Sequence, residues 1–173
     1  MVLALLSAVL FAAAQKSKSN TAVPGRTSFY AELGGPGILF SANIDTRFTS
    51  SRLGWGGRLG VGFVSADESK LVNGNYEYNP RSVIKVPVQV NYIFGKDDSP
   101  HTFEVGAGIS YVGRELEIFN FYEDKTSKWF GSASFMYRRQ PLKGGFTWRA
   151  GFTPLFAKGY IQPTGGVSVG YCF

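Results

Sequence analysis

Residues 165–173 read GGVSVGYCF. Val167, Val169, Tyr171 and Phe173 fall on one side of an extended chain. Gly166, Ser168, Gly170 and Cys172 fall on the other. Side chains alternate along a strand, so one face here is large and apolar and the other is small. Such a strand needs a cover for its apolar face, and the rest of the chain says what kind of cover.

The same alternation recurs throughout. Turn residues divide the chain into eight expected strands, at 27–34, 37–48, 53–64, 82–94, 101–113, 128–139, 145–156 and 164–173. In the second, Ile38, Phe40, Ala42, Ile44 and Phe48 oppose Leu39, Ser41, Asn43, Asp45 and Arg47. In the seventh, Phe146, Trp148, Ala150, Phe152 and Phe156 oppose Thr147, Arg149, Gly151 and Thr153. Charged residues make up 17% of the chain. By chance about seven would fall among the roughly 40 apolar-face positions. Within the spans only Arg139, at a strand end, does so. The opposite faces carry Glu32, Asp45, Arg47, Arg58, Lys85, Glu104, Arg138 and Arg149.

A soluble sandwich turns its apolar face inward and its polar face to water. Here the polar faces are rich in Gly and Ser, as a crowded interior requires. The apolar faces carry aromatics near strand ends, among them Phe29, Trp55, Tyr92, Phe103, Trp129, Phe146 and Tyr171. Rings at both water–lipid boundaries, with charge excluded between them, suit a barrel in lipid. Closing the sheet removes the edges that lipid cannot satisfy. The expected fold is therefore all-β: a closed antiparallel eight-stranded up-and-down transmembrane β-barrel. A soluble lipocalin-like barrel is the rival, with the reverse pattern, an apolar lumen and a polar outside.

The connections give a second line of argument. In order they are GGPG, TSSR, a long segment at 65–81, GKDDSP, a long segment at 114–127, RQPLKGG and AKGYIQP. Even connections are short and the third and fifth are long. Short turns on one side and longer loops on the other are the habit of outer-membrane barrels. The first connection is then an unusually short external turn, and Lys143 lies on the periplasmic side.

Eight alternating strands, this loop rhythm and a terminal aromatic together resemble the small outer-membrane barrels of the OmpA and OmpX type. The resemblance covers 27–173 and rests on architecture. It implies a Gram-negative-type outer membrane, contact with its lipid, and an assembly signal read by the outer-membrane assembly machinery at Val169, Tyr171 and Phe173. Ser168 stands where that signal often has Gly.

The remaining features are assigned around this frame. The opening MVLALLSAVLFAAAQ is uncharged and ends in small residues, so 1–14 is expected to be a signal peptide, shorter than the ~18–20 residues of a spanning helix. Residues 15–26 then form a short N-terminal periplasmic segment. A net charge of +6 without a basic block makes nucleic acid a poor partner. The single cysteine, Cys172, allows no internal disulfide and no cysteine-based metal cluster. LGWGGRLGVGF precedes no helix and carries no Lys-Ser/Thr, so its glycines make room rather than bind phosphate.

Glu32, Asp45, Arg58, Glu104 and Arg149 are expected to meet inside as a charge network, with Glu104 paired to Arg58 or Arg149. Eight strands leave space only for side chains, so this network plugs the lumen. His101, the only histidine, follows a periplasmic turn and is read as a solvated turn residue. No catalytic, cofactor or metal residue is expected. The expected role is structural or adhesive, as a monomer with an extracellular partner reached through 65–81 and 114–127. A narrow solute or ion channel is the alternative, and a lipid-modifying enzyme the second.

Overall fold

The structure is a computed structural model. It describes residues 25–72, 75–116, 127–157 and 160–173, with the side chains of 64–82, 114–116, 127 and 160 left aside. The expected leader at 1–14 and the segment to residue 24 lie outside the described residues.

Ten strand segments form one sheet: β1 Thr27–Gly34, β2 Phe40–Arg47, β3 Gly54–Val72, β4 Asn75–Gly95, β5 His101–Leu116, β6 Ser127–Arg139, β7 Gly145–Phe152, β8 Leu155–Ala157, β9 Tyr160–Gln162 and β10 Gly165–Cys172. They amount to eight barrel strands. β7 and β8 share one register against β6, carried across the gap by the Ala133 N–H donating to the Pro154 carbonyl at 3.1 Å. β9 and β10 likewise continue one another, with the Thr153 N–H donating to the Thr164 carbonyl at 2.7 Å. Pro154 has no N–H to give, which explains the break without a change of register. The expected connection at 157–163 is mostly ladder: Ala157 pairs with Tyr160, so only two residues join β8 to β9.

Sequential neighbours pair antiparallel, β5 pairs with β6, and β1 pairs with both β2 and β10, which closes the barrel. Its stagger can be read from partners. Starting at Phe29, the walk passes Ile44, Leu59, Val88, Ile109, Gly131 and Phe156 and reaches Ile161. Phe29 is itself paired with Tyr171, ten residues beyond Ile161. A closed sheet with such a shear must tilt its strands, so one level of the lumen gathers residues far apart in sequence.

The segment expected as a loop at 65–81 is paired backbone: Ser65 to Val72 of β3 face Ser82 to Asn75 of β4. β5 runs to Leu116, which pairs with Ser127 after a register shift beyond Tyr111. Residues 117–126 of the other expected loop lie outside the described residues. One wall of the barrel, β3 to β6, thus rises above the other.

The first connection also differs from expectation. Strand two begins at Phe40, and Gly35–Gly37 form a single 3-10 turn whose three residues are buried. Gly34 enters it at φ 74° and ψ −151°, a conformation open essentially to glycine alone. Ile38, expected on the outer face, sits at φ 64° and packs inward against Val83, Val112, Phe130 and Leu155; Leu39, expected inward, is exposed. The turn folds into the mouth of the bore and does not stand out from it.

Through the middle of the strands the faces follow the alternation. Phe29, Ile44, Trp55, Leu59, Phe103, Phe135 and Val169 are exposed on the outside. Glu32, Asp45, Arg58, Gln89, Glu104 and Arg149 are buried inside.

Candidate functional site

The site is the lumen itself. The end holding Thr27 and Phe173 is called lower here, and the end with the tall hairpins upper. Four arginines and three carboxylates form one alternating chain that climbs the bore: Arg47, Asp45, Arg138, Glu104, Arg149, Glu32, Arg58.

Arg47 contacts Asp45 Oδ1, and Asp45 Oδ2 lies 2.6 Å from Arg138 Nη1. The same Nη1 is 3.0 Å from Glu104 Oε2. Arg149 Nη1 reaches Glu104 Oε1 at 2.8 Å, and its Nη2 reaches Glu32 Oε1 at 3.0 Å. Arg58 contacts Glu32 Oε2 and ends the chain. All seven side chains are buried. Each carboxylate therefore accepts from two guanidiniums, whose planar forks can serve two partners at once.

Neutral groups hold the ends and flanks. Arg47 donates to the Gly54 carbonyl at 2.9 Å and to Asn91 Oδ1 at 2.6 Å. Gly56, with no side chain, leaves the room that the Arg47 guanidinium occupies. Arg58 Nε donates to Asn43 Oδ1 at 3.1 Å, Arg138 Nη2 to Ser28 Oγ at 2.5 Å, and Arg149 Nε to Ser168 Oγ at 2.9 Å. The Tyr30 ring lies 3.9 Å from the Arg149 guanidinium carbon and 5.3 Å from that of Arg58. Stacking on a ring face suits a guanidinium shielded from water.

All five residues expected to form a charge network lie in this chain. Glu104 pairs with Arg149; Arg58 sits on Glu32. Arg47 and Arg138, inward in the sequence pattern, complete the chain and were not among the five. Tyr30, Asn43, Asn91 and Ser168 also join it, and only their inward phase in the alternation marks them.

Further groups lie at both ends of the bore. Below, Arg52 Nη2 donates to the carbonyls of Lys96, Asp97 and Ser99 at 2.6, 2.9 and 2.8 Å, and Gln140 Nε2 to the Gly25 carbonyl at 2.5 Å. Above lie the Gly35–Gly37 turn and the apolar cluster of Val83, Val112, Phe130 and Leu155.

The expected assembly residues point outward. Val169 pairs with Ala31 and Tyr171 with Phe29, and all three of Val169, Tyr171 and Phe173 are exposed. Phe173 is held by its backbone: its N–H donates to the Thr27 carbonyl and its carbonyl accepts from Gly25, each at 2.7 Å. Cys172 is buried, with Sγ 3.3 Å from Ser28 Oγ. His101 is exposed on the lower rim, its Nδ1 2.5 Å from the Tyr137 hydroxyl. Among the described residues no group of His, Cys, Asp and Glu could hold a metal ion.

An outside of exposed apolar side chains around an ion-paired inside defines the class: a closed eight-stranded antiparallel β-barrel, inverted relative to a soluble one. The chain is similar to a solved structure, the N-terminal β-barrel domain of Pseudomonas aeruginosa OprF, at 13% identity and a TM-score of 0.55, over 87% of this chain and 99% of that one. At that identity the likeness is one of fold. No family model and no curated protein matches the chain.

Proposed function

We propose that the protein is an integral β-barrel of a Gram-negative-type outer membrane, non-catalytic, with a structural or adhesive role and a lumen plugged by its ion-pair chain. The observation that carries this reading is the exposure of large apolar side chains around the barrel. Where side chains are described, the outward strand positions carry one charge, Arg139 at the lower rim. Water would make such a surface adhesive, whereas lipid tails cover it at no cost.

The rings support the same reading. At the lower rim Trp55, Tyr92, Phe94, Phe103, Tyr137 and Trp148 follow one another at centroid distances of 5.2, 6.5, 5.9, 5.9 and 5.1 Å. Tyr111 and Trp129 pair higher up at 4.8 Å. Such rings sit at headgroup level. The partners in this reading are outer-membrane lipid, the assembly machinery acting on Val169, Tyr171 and Phe173, and an extracellular molecule met by the tall hairpins. The barrel acts as a monomer.

Fractionation of cells tests the proposal. The protein should appear in the outer-membrane fraction and migrate faster on gels before boiling than after it. Recovery in the soluble periplasmic fraction would overturn the reading. A narrow channel is favoured over a plug only if the ion-pair chain opens, which a bilayer recording reads directly.

A further inference from the structure

We propose that the upper lumen binds a small inorganic anion, of halide size, at Lys85. Lys85 is 0% exposed, and its Nζ has no hydrogen-bond partner. The ammonium lies 3.8 Å from the centroid of the Phe130 ring. A ring face attracts a cation but leaves its three N–H donors largely unsatisfied.

The ion-pair chain makes no hydrogen bond to it. Both oxygens of Asp45, Glu104 and Glu32 are each engaged by an arginine. Above the Arg52 floor the buried cations are Arg47, Arg58, Lys85, Arg138 and Arg149, against Glu32, Asp45 and Glu104 among the described residues. With Lys85 protonated, two of these positive charges have no carboxylate of their own, and the chain ends upward on Arg58, toward Lys85. An unpaired charge away from water is costly unless a counter-charge joins it.

A second unpartnered donor stands on β6, the strand that carries Phe130. Ser132, two residues from Phe130 on the same inward face of β6, has a buried Oγ with no partner. The residue opposite it on β5 is Gly108. The Gly35–Gly37 turn covers this end, and Ile38 packs on the cluster that includes the Phe130 ring. A β-branched residue at φ 64° is held there against its preference, as segments that clamp a ligand often are. An ammonium, a hydroxyl and an apolar cover together select a small anion that can shed its water.

The test uses the purified full chain refolded in detergent, with isotope-labelled lysine. Chloride replaces gluconate, a much larger anion, at constant ionic strength. The Lys85 side-chain resonances should shift and saturate, and the unfolding temperature should rise with chloride. Lys85→Met should abolish the chloride response, Lys85→Arg should keep it, and Ser132→Ala should weaken chloride binding about tenfold, as loss of one charge-assisted hydrogen bond would. A wild-type protein indifferent to chloride, or a response equal in wild type and Lys85→Met, would overturn the proposal.

Discussion

Glu104 and Arg149 meet across the bore at 2.8 Å, although β6 lies between their strands. Glu104 is also 3.0 Å from Arg138, so one carboxylate keeps two guanidiniums apart. Removing it leaves two buried cations facing each other. Glu104→Ala should cost about 3–5 kcal/mol of stability, the usual penalty for breaking a buried pair. The exposed-turn change Asp98→Ala should stay within about 0.5 kcal/mol. Urea unfolding of both variants in lipid vesicles checks this, and equal losses would mean that the network contributes nothing.

Arg149 tests the geometry of the chain apart from its charge. Its three nitrogens serve Ser168, Glu104 and Glu32. Lysine keeps the charge but has one nitrogen and no fork. Arg149→Lys should lose about 1–3 kcal/mol through unmet acceptors. Wild-type stability in that variant would argue that charge alone matters.

The inturned first connection depends on Gly34. A Cβ there would meet the Gly165 carbonyl, and φ 74° already disfavours any other residue. Gly34→Ala should lower stability by about 1–3 kcal/mol, measured by the same unfolding. An unchanged midpoint would mean that the turn is free to leave the bore.

The alternation carried most of this fold because the outside and the lumen of a barrel demand opposite side chains at successive positions. The middle of each strand could be placed from that pattern alone, but not every end: β3 and β4 pair on through the segment expected as a loop at 65–81. The second and seventh strands failed for local reasons. Ile38 has an outward phase, but the turn before it reverses its direction. Pro154 breaks a strand whose register survives, so what looked like a loop at 157–163 is mostly ladder. The charge network was legible as inward phase. Which arginine meets which carboxylate was not, because the stagger of the closed sheet decides it and no strand encodes the stagger alone. Arg138 illustrates this: its phase is plain, yet its bond to Asp45 joins β6 to β2.

Phe173 is tied to both Gly25 and Thr27, so its loss removes two ladder bonds as well as the proposed address. Deleting Phe173 should leave exported protein in the periplasm, degraded by added protease. Normal amounts of protease-resistant barrel in the outer membrane after the deletion would refute the address.

The orientation follows from the same frame. A tag inserted between Val72 and Asn75 should be labelled on intact cells, and a tag at Lys143, exposed at the lower end, should not. Labelling at Lys143 alone would mean that the barrel is inverted.

The central claim is a membrane barrel whose bore is filled from floor to cover. A planar bilayer recording of the purified wild-type protein tests it most directly, once its heat-modifiable migration has shown that it is inserted and folded. The account predicts no steady current, because seven ion-paired side chains occupy the bore between the Arg52 floor and the Gly35–Gly37 cover. Stable, large conductance steps from the wild-type protein would contradict it.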